Sequence, residues 1–264
     1  MNVVVCIKQV PDTNLTVKVA DDGQAIREDG IEYVTSPYDE HAIEAALQLK
    51  EKHGGEVTVL TLGPERATKA LRDALAMGCD KAAHLNDAAF LGSDALATAR
   101  AIAGWLKAHP ADVVLCGKQA VDDDSAAVGQ AIAQYLGVAH VAEIEKLETS
   151  ADGATITVHR AVDGGVEVIE CPKPAVLTAH KGLNAPRHAS LKGIMRAKKV
   201  AIDAVNLAGA AVEASRVGRE GSPTRTVSLK AAPEKSVTPT ILTGDVTTSA
   251  TELVRLLHTE QKIV

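Results

Sequence analysis

Apolar positions in the first 140 residues gather in short continuous runs at 3–7, 57–62, 81–85 and 113–116. Between them lie segments with helical spacing at about 39–53, 65–77, 94–108 and 124–136. Runs that do not alternate with polar residues predict strands covered on both faces. Their alternation with amphipathic segments predicts βαβ units. The fold class expected is α/β: a mostly parallel, doubly wound, Rossmann-like sheet.

Two of the helical segments are explicit. Ser36-Pro37-Tyr38-Asp39 opens the first, with Asp39 or Ser36 available as a cap; Ala42, Ala45, Ala46 and Leu49 form its inward stripe, and Gly54-Gly55 stops it. In the last, Val128, Ala131, Ile132, Tyr135 and Leu136 recur at i, i+3, i+4, i+7 and i+8.

From about residue 140 the pattern changes. Residues 144–147, 155–162, 166–170 and 175–179 are strand-like and joined by short turns, with a hairpin signal at Asp163-Gly164-Gly165, so an antiparallel extension is expected. Beyond Lys181 the periodicity weakens: 185–187 and 218–223 are loop-like, Pro233 and Pro239 interrupt the chain further on, and 251–257 has a last helical pattern. A tail this long and this weakly patterned is expected either to be partly disordered or to order against something else.

Composition narrows the function classes. Of 264 residues 46% are apolar and 23% charged, as in an ordinary soluble protein, but only 2% are aromatic. A flavin or base must therefore be held by backbone, aliphatic surface or another chain. A net charge of −6 without a basic stripe argues against a nucleic-acid partner. No apolar run approaches the ~18 residues of a membrane span, and the amino terminus lacks signal-peptide features, so a cytoplasmic protein that does not insert into a membrane is expected. Cys6, Cys79, Cys116 and Cys171 are scattered without metal-ligand spacing, so neither metal nor disulfide is expected, and Cys6 and Cys116, inside or at the end of apolar runs, read as small buried hydrophobes.

The candidate chemistry lies after the run 113–116. Gly117-Lys118-Gln119 stands at the carboxyl end of that strand, where open α/β sheets bind ligands. Asp122, Asp123, Asp124 and Ser125 come next as potential caps of the following helix. A nucleotide site is the natural expectation. No catalytic triad, metal cluster or acid–base pair is readable, and His41, His180 and His188 read as surface or structural residues, so no side-chain catalysis is expected.

These motifs resemble the β subunit of electron transfer flavoprotein nearly end to end. The stretches VVVCIKQVPD, SPYDEHAIEAALQLK, ALRDALAMGCDKA, VLCGKQAVDDDSAAVGQ, HRAVDGGVEVIECPKPAVLT and LNAPRHASLKGIMRAKK occur in that family's order. The resemblance implies a heterodimer in which this chain binds a structural AMP and helps enclose an FAD held mainly by the α subunit. The family's AMP contacts fall here on Cys6, on Ser36, Pro37, Tyr38 and Asp39, on Leu62, and on Gly117, Lys118, Gln119, Ala120, Val121, Asp122, Asp123, Asp124, Ser125, Ala126, Ala127 and Val128. Backbone at Cys6 and Leu62 is expected to read the adenine, the helix start to hold the phosphate, and Lys118 to offset the aspartates or to be an exposed surface lysine.

The same resemblance places a partner contact on Leu191, with Ile194 and Met195, through which acyl-CoA or related dehydrogenases dock; a membrane quinone oxidoreductase or another acceptor takes the electrons. The bland reading of these residues is a short helix packed on the protein's own core. The implied organisation is an α/β domain with its extension over 1–184, a recognition loop over 185–200, and an arm over 201–264 packing on the α subunit. Departures include Thr13 where the family has an aromatic near the flavin, Ser36 where many members have Asn, and Arg196 at the first position that can carry a methylated lysine. Bifurcating relatives hold a second FAD in place of AMP and take electrons from NADH. Asp123, where their loop tends to have glycine, favours AMP, while VVVCIKQVPDT and Ala46-Leu47 look more like that branch. An alternative of another class is a stand-alone nucleotide-binding regulatory protein.

Overall fold

A computed structural model describes residues 1–231 and 239–263; Pro233 lies outside the described residues. Two compact units divide the chain, Met1–Leu229 and Lys230–Val264. In the first, β1 (Val3–Cys6), β2 (Gln9–Pro11) and β3 (Tyr33–Thr35) lead into α1 (Pro37–His53), then β4 (Val57–Leu62) into α2 (Thr68–Met77). β5 (Lys81–Leu85) leads into α3 (Ala95–Ala108) and β6 (Val113–Gly117) into α4 (Val128–Leu136). β7 (Ala139–Thr149), β8 (Ile156–Val162), β9 (Gly165–Cys171) and β10 (Ala175–Ala179) precede α5 (Leu191–Ala197), β11 (Ile202–Val205) and the single turn α6 (Gly218–Gly221).

One nine-stranded sheet has the order β11-β5-β4-β1-β6-β10-β7-β8-β9. Alternation along β1 makes it double-faced: Val3 and Val5 join the core under α1 and α2, while Val4 and Cys6 join the core under α3 and α4. Alanines fill helix positions that pack against the sheet, Ala42, Ala45 and Ala46 of α1 and Ala99 and Ala101 of α3, all buried. Small side chains there let helix and sheet approach closely, which is how a core with few aromatics is filled.

The expected fold class is present, with two differences of detail. The sequence pattern puts residues 175–179 within the antiparallel extension, yet β10 runs parallel to both β6 and β7 in the middle of the sheet. Every residue of β10 is buried, the signature of a strand covered on both faces rather than of a hairpin arm. β7 changes role along its length, pairing parallel to β10 first and antiparallel to β8 later, the two pairings meeting at Ile144, next to Glu143 at φ +57. The expected hairpin closes at Asp163-Gly164, with Val162 paired to Gly165 and Gly164 at φ +83.

The weakly patterned tail is partly sheet: β11 pairs parallel to β5 at the far edge. In the second unit, Asp245 caps α7 (Val246–Leu256) by accepting from the Thr248 N–H, and Val246, Leu253 and Val254 are exposed. No described helix is long and apolar enough to cross a membrane.

Candidate functional site

A cleft of about 370 Å³ opens at the carboxyl ends of β1, β4, β5 and β6 and reaches the start of α4. From β1 the chain proceeds to β4 and β5 on one side, then returns through β6 to build the other side. The cleft therefore lies at the topological switch point, where neighbouring loops diverge and leave a crevice.

Asp39 joins the two strands that flank this point. Its carboxylate accepts from the Lys8 N–H at 2.7 Å and from the Gly117 N–H at 2.9 Å, tying the end of β1 to the end of β6. Burial pushes its pKa up to about 7 despite these two bonds. Gly117 is required by the same contact, since a Cβ there would lie 2.4 Å from Asp39 Oδ1 and 2.7 Å from Tyr38 Cβ. The expectation that Asp39 or Ser36 caps α1 is corrected: Ser36 occupies the cap position without a side-chain bond, and its buried Oγ has no hydrogen-bond partner. Strand ends compete for the Asp39 oxygens and win, because their amides would otherwise be buried unpaired.

The loop from Lys118 to Ala127 also departs from simple capping. α4 starts at Val128, with Ala127 at its cap position and no side-chain cap. Asp122 and Asp123 turn instead to Lys8, whose Nζ lies 2.8 Å from Asp122 and 3.1 Å from Asp123. Burial alone would lower the Lys8 ammonium's pKa, and the two carboxylates more than reverse that. Asp123 Oδ1 accepts from the Ser125 N–H at 3.1 Å, and Asp124 accepts from Gln119 Nε2 at 2.6 Å. Lys118, one candidate counter-ion, pairs with Glu143 at 2.7 Å, so Lys8 takes that role. The signal for it was its place just beyond a buried strand at the sheet's carboxyl edge.

Asp124 at φ +50 and Ala126 at φ +47 are left-handed, which swings the chain so that the amides of Ala126 and Ala127 have no partner among the described residues. With the unbonded first turn of α4 they form a concave set of donors suited to one phosphate. Gly129 lets α4 sit low enough for this: a Cβ there would come within 2.6 Å of Thr178 Cγ2 on β10.

Of the expected contacts, Cys6, Asp39, Leu62, Gly117, Lys118, Gln119, Ala120, Asp123, Ser125, Ala126, Ala127 and Val128 line the cleft. Ser36, Pro37, Tyr38, Val121, Asp122 and Asp124 do not line it; the Tyr38 ring meets His180 edge-on at 6.2 Å and lies 5.0 Å from the Lys181 ammonium. Cys6 and Cys116 are paired across β1 and β6, and both are buried. The turn after β5 also lines the cleft with Asn86, Asp87, Phe90 and Asp94, which sequence reading did not single out. The rule that ligands sit at strand carboxyl ends would have pointed there too. Asp87 and Asp94 are already engaged, each capping a helical turn and holding a distant loop through Leu207 and Thr224.

A second feature lies away from the cleft. Ser190 caps α5 by accepting from the Gly193 N–H at 3.0 Å. Gly193 and Ala197 face α2, so closely that a Cβ on Gly193 would stand 2.2 Å from Ala76 O. Leu191, Ile194 and Met195 are left 78%, 40% and 53% exposed. The helix is packed on its own core, and the three apolar side chains are not what packs it.

Comparison with known proteins places this geometry. The family described as electron transfer flavoprotein domain matches residues 24–210. The chain is 39% identical over 264 residues to a protein named electron transfer flavoprotein subunit beta from Thermoanaerobacterium thermosaccharolyticum, covering all of both chains. It is 37% identical over 265 residues to the protein of that name from Bacillus subtilis, again covering all of both. A third of that name, from Clostridium acetobutylicum, is 43% identical over 225 residues, covering 85% of this chain and 86% of the relative.

Proposed function

This chain belongs to the β-subunit family of electron transfer flavoproteins, electron carriers rather than enzymes, and on that premise we propose that it holds one AMP in the cleft, pairs with a flavin-bearing α subunit and docks dehydrogenases. The observation that carries the nucleotide reading is the free amide pair at Ala126 and Ala127 beside a loop whose acids are already engaged. A monophosphate needs few donors, and amides at a helix start supply them without a basic side chain. Cys6 and Leu62, at the ends of β1 and β4, offer backbone edges to the adenine. Among the described residues Phe90 is the only aromatic that lines the cleft, so a base there rests on aliphatic wall and backbone.

The AMP has a structural role in this reading, and the FAD of the α subunit supplies the redox chemistry. The part of this chain is to bind, orient and dock. Leu191, Ile194 and Met195 form a small apolar anchor with basic residues around it, the form of a transient partner contact. Acyl-CoA or related dehydrogenases are its partners, a quinone oxidoreductase is the acceptor, and residues 201–264, apart from β11 in the sheet, form the arm that packs on the α subunit. Acid extraction of the purified heterodimer, with nucleotides quantified by chromatography, tests the cofactor assignment. One AMP and one FAD per heterodimer are expected; two FAD and no AMP would replace this reading with the bifurcating one, and absence of flavin would leave a nucleotide-binding regulator.

A further inference from the structure

Residues 184–200 run across the outside of α1 and α2 and are tied to them at several points. Asn184 Nδ2 donates to His41 O at 2.9 Å. Arg187 then makes a two-carboxylate bridge. Its Nε donates to Glu44 Oε2 at 2.8 Å, its Nη2 to Glu44 Oε1 at 3.0 Å and Glu51 Oε2 at 3.2 Å, and its Nη1 to Glu51 Oε1. The Arg187 N–H adds a bond to Glu44 Oε2 at 3.2 Å, and Gln48 Nε2 one to Glu44 Oε1 at 2.9 Å.

Beyond α5 the ties run both ways. Arg196 Nη2 donates to Leu75 O at 2.7 Å and Cys79 O at 2.8 Å, satisfying carbonyls at the end of α2, while Arg72 of α2 donates to Ala197 O and Val200 O. Between these ties stand Leu191, Ile194 and Met195, outside every one of them.

Glu44 and Glu51 are two turns apart on the same face of α1, so one planar guanidinium can serve both. Glu44 is buried, and Arg187 is the cation that compensates it. Burial would raise the Glu44 pKa, and the bonds from Arg187 and Gln48 hold it below the usual value.

We propose that Arg187 is a positioning residue for partner docking: by bridging Glu44 and Glu51 it holds residues 185–200 so that Leu191, Ile194 and Met195 stand as one preformed apolar anchor. This rests on the reading of those three residues as the dehydrogenase contact. A surface already ordered before encounter loses less freedom on binding, so removing the bridge weakens the encounter rather than the subsequent electron transfer. A lysine at 187 presents a point charge and cannot grip both carboxylates in a fork.

The test uses the assembled, FAD-loaded heterodimer as acceptor for a reduced acyl-CoA dehydrogenase, reading KM and kcat for the heterodimer together with amide hydrogen exchange over 188–199. Leu191→Ala is expected to raise KM with exchange unchanged. Arg187→Gln is expected to raise KM roughly three- to tenfold with kcat and FAD content unchanged and exchange accelerated, and Arg187→Lys to lie between it and the parent. Glu51→Gln removes only the exposed arm of the bridge, leaves Glu44 paired, and is expected to give a smaller rise of the same kind; it decides the matter if Arg187→Gln does not fold. An unchanged KM in the Arg187 and Glu51 variants, with a raised KM in Leu191→Ala, overturns the positioning role. An unchanged KM in Leu191→Ala overturns the docking reading itself, and the positioning role with it.

Discussion

Replacing Asp39 by asparagine gives a pH signature that comes from its place between β1 and β6. The carboxyl has a pKa pushed up to about 7 by burial, against 3.8 for an ordinary aspartate. Between those values the folded chain holds a proton that the unfolded chain has released, so the contribution of Asp39 to stability falls as pH rises from about 4 to about 7 and is flat above. From pH 8 down to pH 5 the group gains roughly 2.5 kcal/mol of stability, or about 5–10 °C in a chain of this size. The substituted asparagine would not titrate. It would also turn an N–H donor toward one of two N–H donors, a steady loss of about 1–3 kcal/mol. The melting temperatures of the parent and Asp39→Asn proteins should therefore differ at pH 8 by that steady loss alone and separate further in favour of the parent at pH 5. Melts of both at matched ionic strength across that range read the difference, in which the other carboxylates cancel. A constant difference from pH 5 to 8 would refute a burial-raised pKa for Asp39.

Two further outcomes concern the cleft. Gly129→Ala places a methyl 2.6 Å from Thr178 Cγ2, which must push α4 away from β10; a loss of about 1–3 kcal/mol and of bound nucleotide is expected, read by a melt and by acid extraction. Lys8→Ala leaves Asp122 and Asp123 without their cation, so the loop should bind nucleotide less tightly. Calorimetric titration of AMP into nucleotide-stripped protein measures this, and an unchanged affinity would mean that Lys8 has no part in shaping the loop.

Much of the first unit was legible from short-range pattern. The strands of the parallel core and the hairpin at Asp163-Gly164 arise from runs of apolar residues and from turn chemistry, which act over a few residues. The acidic loop was legible as a place and not as a conformation. Three aspartates before an apolar helical stripe read as caps, yet the helix starts at Val128 because Asp122 and Asp123 face Lys8, more than a hundred residues away in sequence. β10 was misplaced for a related reason: coming after a hairpin in sequence, it resembles a third arm, whereas burial on both faces puts it between β6 and β7.

By itself, then, the sequence determined the fold class, the family and the neighbourhood of the cleft proposed to hold the nucleotide, because hydrophobic period, strand-end glycines and ordered motifs are local properties of a chain. Only the tertiary structure decided the roles inside that neighbourhood. Asp39 became a strand clamp rather than a cap, Lys8 rather than Lys118 the counter-ion of the acids, and Arg187 the tie beneath an exposed apolar cluster. Hydrogen bonds and ion pairs depend on which groups burial brings within about 3 Å, and that proximity is set by how the strands cross over.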